Sequence, residues 1–184
     1  MGVSEDLLAA AKQCLGERGY ARTTVRDIIA VSGSNLAAIN YHFRSKDALL
    51  NRAMIELTAE AVQEILQALP DSSQGDQAER LEAFWAGLIE SFGQRRALWL
   101  ANVDSLTQAP HVPEVRDQLT QGQARARAEL GELLGPDGEE MSGVLLTLLV
   151  GTLVQWSIDP DNAPSAEDLS RGIRAIAKAL TTGA

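Results

Sequence analysis

The sequence has few residues of the types on which disulfide-stabilised and metal-binding proteins depend. It contains one cysteine and two histidines in 184 residues. A single cysteine excludes an internal disulfide framework and is typical of a protein from a reducing cytoplasm. The histidines are far apart, and no pair of these side chains has zinc-ligand spacing. We therefore expect a cytoplasmic protein without a metal ion and without a cofactor.

The motifs of common enzymes are missing as well. The sequence has no G-x-S-x-G nucleophile motif, no H-E-x-x-H pair, no phosphate-binding glycine loop and no cysteine–histidine couple. Acidic residues such as Glu139–Glu140 and Asp159–Asp161 fall at predicted helix ends and turns, where capping explains them. We therefore expect that the protein is not an enzyme.

The sequence also lacks the segments that direct a chain into a membrane. No basic stretch followed by an apolar one opens the chain, as a signal peptide requires. The longest apolar run, Val144–Ile158, is shorter than a bilayer span and includes threonine, glutamine and serine. We expect no membrane partner.

Positive charge is scarce outside the N-terminal quarter. The net charge of −9 argues against a general coat for nucleic acid. The first 50 residues carry six Lys/Arg against five Asp/Glu, and the remainder carries ten against twenty. Only the N-terminal quarter is therefore not repelled by phosphate.

The most informative stretch, Thr23–Lys46, has the pattern of two short helices joined by a tight turn. Thr23 and Thr24 offer hydroxyls that cap a helix start, and apolar residues follow at helical spacing. Gly33 supplies the positive φ that such a turn demands. The second helix is predicted over Leu36–Phe43, and its exposed set is small and amide-bearing. Such a face suits close approach to DNA base edges, where asparagine can pair with adenine.

The segments GERGYARTTVRDI and INYHFRSKDALL resemble the N-terminal domain of tetracycline-repressor-like (TetR-type) transcriptional regulators. The resemblance covers Leu7 to about Leu50, and its parts agree in order and spacing. The chain departs from the family pattern where Ile29 and Ser32 replace alanine and where Asn40 replaces tyrosine. The resemblance implies a helix-turn-helix domain that binds a double-stranded DNA operator.

Helix starts and the resemblance together indicate which residues contact DNA. Thr24 and Lys46 begin the second and fourth helices, where free N–H groups and the helix dipole attract a phosphate. The resemblance implies contacts with the DNA backbone for Tyr41, His42 and Arg44. It implies contacts with base edges for Leu36, Ala37, Ala38 and Asn40. Leu36 also continues the apolar stripe of the same helix, a position that allows burial instead.

The rest of the chain has helical periodicity without strand alternation, so we predict an all-α fold. The predicted helices run over about 47–69, 77–93, 95–107, 114–134, 139–158 and 165–180. We expect a three-helix DNA-binding domain at residues 1–46, fused to a larger helical domain for effector binding and dimerisation at residues 47–184.

An aromatic cluster in the larger domain has two interpretations. Aromatic residues at helical spacing are usually core. They also line pockets for apolar ligands, and the resemblance implies that a small-molecule effector binds in this domain. The residues predicted to line such a pocket are Trp85, Leu88, Phe92, Trp99, Asn102 and Val103.

The segment GVLLTLLVGTLVQW is more apolar than one side of a helix needs. It is either the buried centre of the domain or a surface that meets a partner subunit. Gly143, Thr147 and Gly151 leave a narrow strip where another helix can approach closely. We predict a homodimer, as the resemblance also implies, with an interface that includes Leu146, Thr147, Val150, Gly151, Val154, Ile173, Ile176 and Leu180.

These observations favour a ligand-responsive transcriptional regulator, and a repressor in particular. It is expected to bind a palindromic operator as a dimer and to be released by a small apolar molecule. A ligand acts in this way only if it binds the arrangement that does not fit DNA more tightly. The alternative is an all-helical adaptor of the same fold that binds a protein or a small molecule without DNA.

Overall fold

The protein folds as nine α-helices within the residues that the structure describes. The computed structural model describes residues 2–70, 77–134 and 137–182, without the side chains of residues 77, 78 and 132–134. The helices are α1 (Val3–Arg18), α2 (Val25–Ser32), α3 (Leu36–Phe43), α4 (Lys46–Gln67), α5 (Gln77–Gln94), α6 (Arg96–Gln108), α7 (Pro113–Leu134), α8 (Gly138–Ile158) and α9 (Ala166–Thr182). The predicted all-α fold, with an N-terminal helix-turn-helix domain, is confirmed. The predicted loop at residues 71–76 and the predicted stop at Gly135–Pro136 lie outside the described residues.

The first three helices form a small head around one apolar core. Leu7 and Leu15 of α1, Ile28 of α2 and Ile39 of α3 all belong to it and are fully buried. α2 and α3 have only 8 residues each. Helices of that length are not stable alone in water, so their burial against α1 and α4 stabilises them.

The Thr23–Thr24 pair divides its hydroxyls between the core and the surface. Thr23 is 1% exposed, and its Oγ1 lies 2.8 Å from the carbonyl oxygen of Gly19 and 3.2 Å from that of Cys14. Thr24 is exposed and caps α2, because its Oγ1 accepts from the Asp27 N–H at 3.3 Å. The Asp27 carboxylate accepts in return from the Thr24 N–H at 2.9 Å. One threonine thus fastens α2 to α1, and the other begins α2.

α4 joins the head to the rest of the chain. It contacts α1 and α3 of the head and α5, α6 and α7 of the larger part. Lys12 on α1 reaches Glu56 at 2.9 Å and Glu60 at 2.7 Å on α4. Gln118 on α7 donates from Nε2 to the Ala48 carbonyl oxygen at 3.2 Å. The boundary predicted after residue 46 falls at the start of a helix that both parts share, and it stays a prediction.

α8 is long and apolar enough to cross a bilayer by length and composition alone. It has 21 residues, and an 18-residue window within it has a mean hydropathy of 1.7. The sequence argument considered Val144–Ile158, but the helix begins at Gly138 and so reaches the roughly 20 residues that a span needs. Length alone therefore does not exclude a span. In this fold α8 packs against α6 and α7, and its Ser142, Thr152 and Trp156 are buried. We interpret α8 as a core helix with one uncovered side.

Candidate nucleic-acid interface

α3 presents an uncharged face to solvent. Helical spacing puts Leu36, Ala37, Asn40 and Tyr41 on one side of α3, and all four are exposed. Leu36 is 51% exposed and Tyr41 is 85% exposed, whereas Ile39 on the other side is fully buried. We call these four residues the α3 face. Large apolar groups left in water on so short a helix indicate a contact surface.

Two predicted roles on α3 change with the structure. Leu36 does not continue the buried stripe, because it is the first residue of the helix and is half exposed. Its predicted contact with a base edge therefore stays a prediction. Ala38 is half-buried and packs against the core. It lies on the flank of α3 beside the α3 face, and its predicted base contact stays a prediction.

Backbone turns and side-chain caps fix where α3 begins and ends. Gly33 has φ 66° at the end of α2, a conformation that side chains with a Cβ rarely adopt. Asn35 caps α3, since its Oδ1 accepts from the Ala38 N–H at 3.0 Å. Arg44 closes α3 with φ 69°, and Ser45 caps α4 by accepting from the Ala48 N–H at 3.0 Å. The orientation of α3 is thus set by contacts that leave its face free.

The two predicted phosphate contacts lie close together. Lys46 Nζ is 3.4 Å from the carbonyl oxygen of Thr23, the residue before Thr24. The same Nζ is 3.4 Å from the Asp47 carboxylate, and Lys46 is half-buried. At the start of α2, hydrogen bonds from the side chain and backbone of Thr24 lower the pKa of the Asp27 carboxyl. The carboxylate therefore stays charged there, and a phosphate at Thr24 has to compete with it.

Sequence reasoning missed two arginines that flank Thr24. Arg22 and Arg26 are exposed and make no salt bridge to a described residue. Arg44, for which a contact with the DNA backbone was predicted, is also exposed and makes no salt bridge to a described residue. Arg18, by contrast, pairs with Asp27 at 2.7 Å. The signal in the sequence was the pair of arginines around a capped helix start, where phosphate contacts are favoured. His42 is also exposed, and its ring packs edge-on against Tyr41 at 4.9 Å.

The aromatic cluster predicted to line a pocket is packed as core. Trp85, Leu88, Phe92 and Trp99 are each at most 1% exposed. Phe92 contacts Trp99 edge-on at 5.0 Å, and Trp99 donates from Nε1 to Ser91 Oγ at 3.0 Å.

Some polar atoms of the predicted pocket have hydrogen-bond partners and others do not. The Asn102 amide donates to Thr58 Oγ1 at 2.9 Å and to the Leu98 carbonyl oxygen at 3.0 Å. Val103 is half-buried against the core. Trp85 Nε1 is buried without a hydrogen-bond acceptor among the described residues.

Two cavities occur elsewhere in the larger part, and both involve α5. One, of about 240 Å³, lies between α4 and α5 and is lined in part by Ile65, Gly87 and Ser91. The other, of about 250 Å³, is lined in part by Ile89 and Trp156. None of the six residues predicted to line a pocket borders either cavity. Their ligand-binding role stays a prediction that requires side chains to move.

The residues predicted at a dimer interface are uncovered to different degrees. Ile176 is 64% exposed and Leu180 is 75% exposed on α9. Thr147 is exposed, and four residues of α8 are half-buried: Leu146, Val150, Gly151 and Val154. Ile173 packs against the chain's own core, which makes it the weakest member of the predicted set.

Two exposed residues of α8 belong to the same side and were missed. Val144 is 61% exposed and Ile158 is 77% exposed. With Thr147, Gly151 and Val154 they recur at helical spacing, so they form one uncovered stripe along α8. The apolar spacing was visible in the sequence, but which side the core would cover was not.

Comparison with known proteins places the head in a characterised family. Residues 7–53 match the family model of "Bacterial regulatory proteins, tetR family". The HTH-type transcriptional repressor Rv1474c of Mycobacterium tuberculosis is 46% identical over 55 residues, which are 26% of this chain and 29% of that protein. The chain thus matches this relative over less than a third of the relative's length.

Solved structures share the fold along nearly the whole chain. A TetR transcription regulator from Haloarcula marismortui has a TM-score of 0.60 and 22% identity, over 96% of this chain and 95% of that one. The multidrug binding protein EbrR, complexed with proflavin, has a TM-score of 0.68 and 20% identity, over 94% of this chain and 97% of that one. Identities this low establish the fold alone.

The capped α2, the left-handed turn and the exposed α3 define a helix-turn-helix protein of the DNA-binding class. Together with the matched family model and the related repressor, they make the head similar to the DNA-binding domain of the TetR family of bacterial regulatory proteins. The family is one of transcriptional regulators and not of enzymes.

Substitutions at Asn40 and Lys46 should weaken DNA binding in different ways. Asn40→Ala removes a side chain of the α3 face and should cost ~1–3 kcal/mol per half-site, with relaxed preference at one base pair. Lys46→Ala removes a phosphate contact, so it should weaken binding to all sequences alike and flatten the dependence of log K on log salt by about one unit per subunit. Competition binding at two salt concentrations against one randomised half-site measures both. A uniform loss for Asn40→Ala would contradict its role at a base.

Proposed function

We propose that the protein is a cytoplasmic, ligand-responsive transcriptional repressor that binds a palindromic operator as a dimer. The observation that carries the proposal is the α3 face. It is uncharged, exposed and held at a fixed angle by caps on both sides. Such a helix can enter the major groove without acidic groups that the DNA phosphates would repel.

The surroundings of α3 supply the electrostatic part of binding. Arg22, Arg26 and Arg44 are exposed and free of salt bridges to described residues, and Lys46 lies beside the start of α2. These cations are suited to phosphates, which fix orientation and carry no sequence information. The residues after position 50 carry twice as many acidic as basic side chains, so the larger part is repelled by DNA. The head alone therefore faces the duplex.

Selection of bound DNA from a random library tests the proposal. The full-length protein should enrich a palindrome whose half-sites lie about one helical turn, ~34–36 Å, apart or a multiple of it, because a two-fold symmetric dimer presents α3 twice. Sequencing of the enriched pool is the measurement. The Asn40→Ala variant is the control that shows whether the base preference depends on a side chain of α3. If no sequence is enriched at low salt, the adaptor function becomes the better account.

The dimer interface is proposed along the uncovered stripe of α8 and the exposed end of α9. Val144 and Ile158 on α8 and Ile176 and Leu180 on α9 are each more than 60% exposed. Exposed apolar side chains of this size suggest surfaces that a partner covers. A Cβ built at Gly151 meets nothing within 4 Å in the single chain. That opening is where a helix of the second subunit approaches closely.

Replacing Gly151 by leucine should disrupt the dimer and spare the fold of the subunit. The added side chain meets open space in one chain but overpacks the proposed seam, at a cost of ~1–3 kcal/mol. Light scattering over a range of protein concentrations should show more monomer than for the unaltered protein. Gly93→Leu on α5 is the matched control, because its Cβ also meets nothing within 4 Å. A dimer that is equally stable in both variants would place the interface elsewhere.

The effector is proposed to be a small apolar molecule with a hydrogen-bond acceptor, bound next to Trp85 on α5. Trp85 Nε1 is a fully buried donor without an acceptor among the described residues. An unpaired buried donor costs ~1–3 kcal/mol, which a ligand acceptor can recover. α5 also borders both cavities, so displacement of its side chains has space to occur. The complex of the structurally similar EbrR with proflavin supports a small-molecule ligand for this fold.

Trp85→Phe should raise the ligand concentration needed to release the operator by about tenfold, because it removes the unpaired N–H and keeps most of the ring. A library of small apolar molecules is first screened for release of a fluorescent operator, and the most effective compound is then titrated against both proteins. Trp99→Phe is the matched control, since its N–H already bonds to Ser91. Equal release curves for Trp85→Phe and the unaltered protein would contradict the proposed site.

A further inference from the structure

We propose that the operator half-site carries A·T base pairs where it meets the α3 face, and that Leu36 and Ala37 contact thymine methyl groups there. The inference rests on the proposed function and adds the chemistry of the bases that are read. It follows from two observations: which side chains of α3 are exposed, and which side chains nearby already cap a helix.

The α3 face lacks the two side chains that read guanine most often. Guanine is read most often by the two donors of an arginine or by a lysine, directed at O6 and N7. Leu36, Ala37, Asn40 and Tyr41 include neither residue. The nearest arginines in sequence are Arg26 on α2 and Arg44 after the end of α3. Both lie outside the α3 face, in positions that suit phosphates.

Leu36 and Ala37 form an apolar patch at the N-terminal end of α3, which is the end expected to enter the major groove most deeply. They are the first two residues of the helix, and the N-terminal residues of a recognition helix contact base edges. Leu36 is 51% exposed in the free protein, so much of its side chain remains to be buried. The only apolar group that a base pair presents in the major groove is the thymine C5-methyl. Ala37 is small and lets the helix approach that methyl group closely.

Asn40 supplies the complementary polar contact one turn further along the same side. Its side chain is exposed and makes no hydrogen bond within the described part of the chain, whereas the Asn35 amide caps α3 through Ala38. A free carboxamide can donate to N7 and accept from the N6 amino group of adenine. The patch and the amide therefore favour the same kind of base pair, which presents a methyl on one strand and adenine on the other.

Replacement of thymine by deoxyuridine tests the inference, because it removes the methyl group and leaves base pairing unchanged. On the selected operator, each half-site thymine is replaced in turn, on both half-sites together. At the contacted position the unaltered protein should lose roughly fourfold in affinity per methyl group, and roughly fifteenfold for the two. Fluorescence anisotropy with labelled operators gives the affinities.

The Leu36→Ala variant assigns the effect to the proposed side chain. It should bind the thymine and uracil operators within about twofold of each other, because the leucine side chain that packs on the methyl is gone. Asn40→Ala is the control, since it should bind more weakly but keep the preference for thymine. Leu36 is half exposed, so the variant should fold, and circular dichroism with thermal melting checks this.

Three outcomes would overturn the inference. They are a selected half-site with G·C pairs at the positions of Leu36 and Ala37, operators insensitive to every uracil, and a uracil effect that Leu36→Ala leaves unchanged. In each case a selected palindrome would leave the proposed repressor intact. Failure to select any sequence would instead contradict the proposed function, and the inference with it.

Discussion

The structure depends on how two helices of 8 residues are held in place. Helices so short do not persist without capping and burial. Thr24 caps α2, Asn35 caps α3, and Gly33 makes the turn between them in the left-handed conformation. Only one residue of α3, Ile39, is fully buried. Because caps and the core contacts of Ala38, Ile39 and Phe43 fix α3, the exposed α3 face carries no structural duty and is available to a partner.

α4 is the physical link between the head and any event in the larger part. It shares the apolar core with α1 and is paired to it through Lys12, Glu56 and Glu60. On the side of the larger part, Gln118 of α7 donates a hydrogen bond to the carbonyl oxygen of Ala48, which lies in the first turn of α4. In the proposed dimer, a ligand in the larger domain can change the spacing of the two heads by favouring a different position of α4 or a different contact of α1 with α6. Its effect is limited by its difference in affinity for the two arrangements.

Local signals made the head predictable from the sequence. The cap at Thr24, the turn at Gly33 and the bounds of α3 follow from side chains that act on their own backbone neighbours. The later helices were also expected, with ends that differ by one or two residues, as is usual where helices fray. The sequence could not predict which side chains are buried, because burial depends on which helices pack against each other. The pattern therefore left Leu36 undecided, did not show that Ala38 packs against the core, and missed Val144 and Ile158.

The same limit applies to the larger domain. Aromatic spacing along α5 and α6 identified residues that lie together, but whether they enclose space depends on side-chain positions that no pattern records. The unpaired Trp85 N–H is visible only once its neighbours are in place. Charge was a better guide, because the excess of basic residues in the head is a property of composition. The exposed Arg22 and Arg26 extend that argument to positions beside a helix start.

The central claim is that the uncharged face of α3 meets the bases, and a structure of the dimer on its selected operator tests it most directly. The account predicts α3 of each subunit in the major groove, with Leu36 and Ala37 nearest the base edges and Asn40 one turn behind them. Arg22, Arg26 and Lys46 should lie against phosphates. A complex in which α3 faces solvent, or in which another helix occupies the groove, would contradict the account.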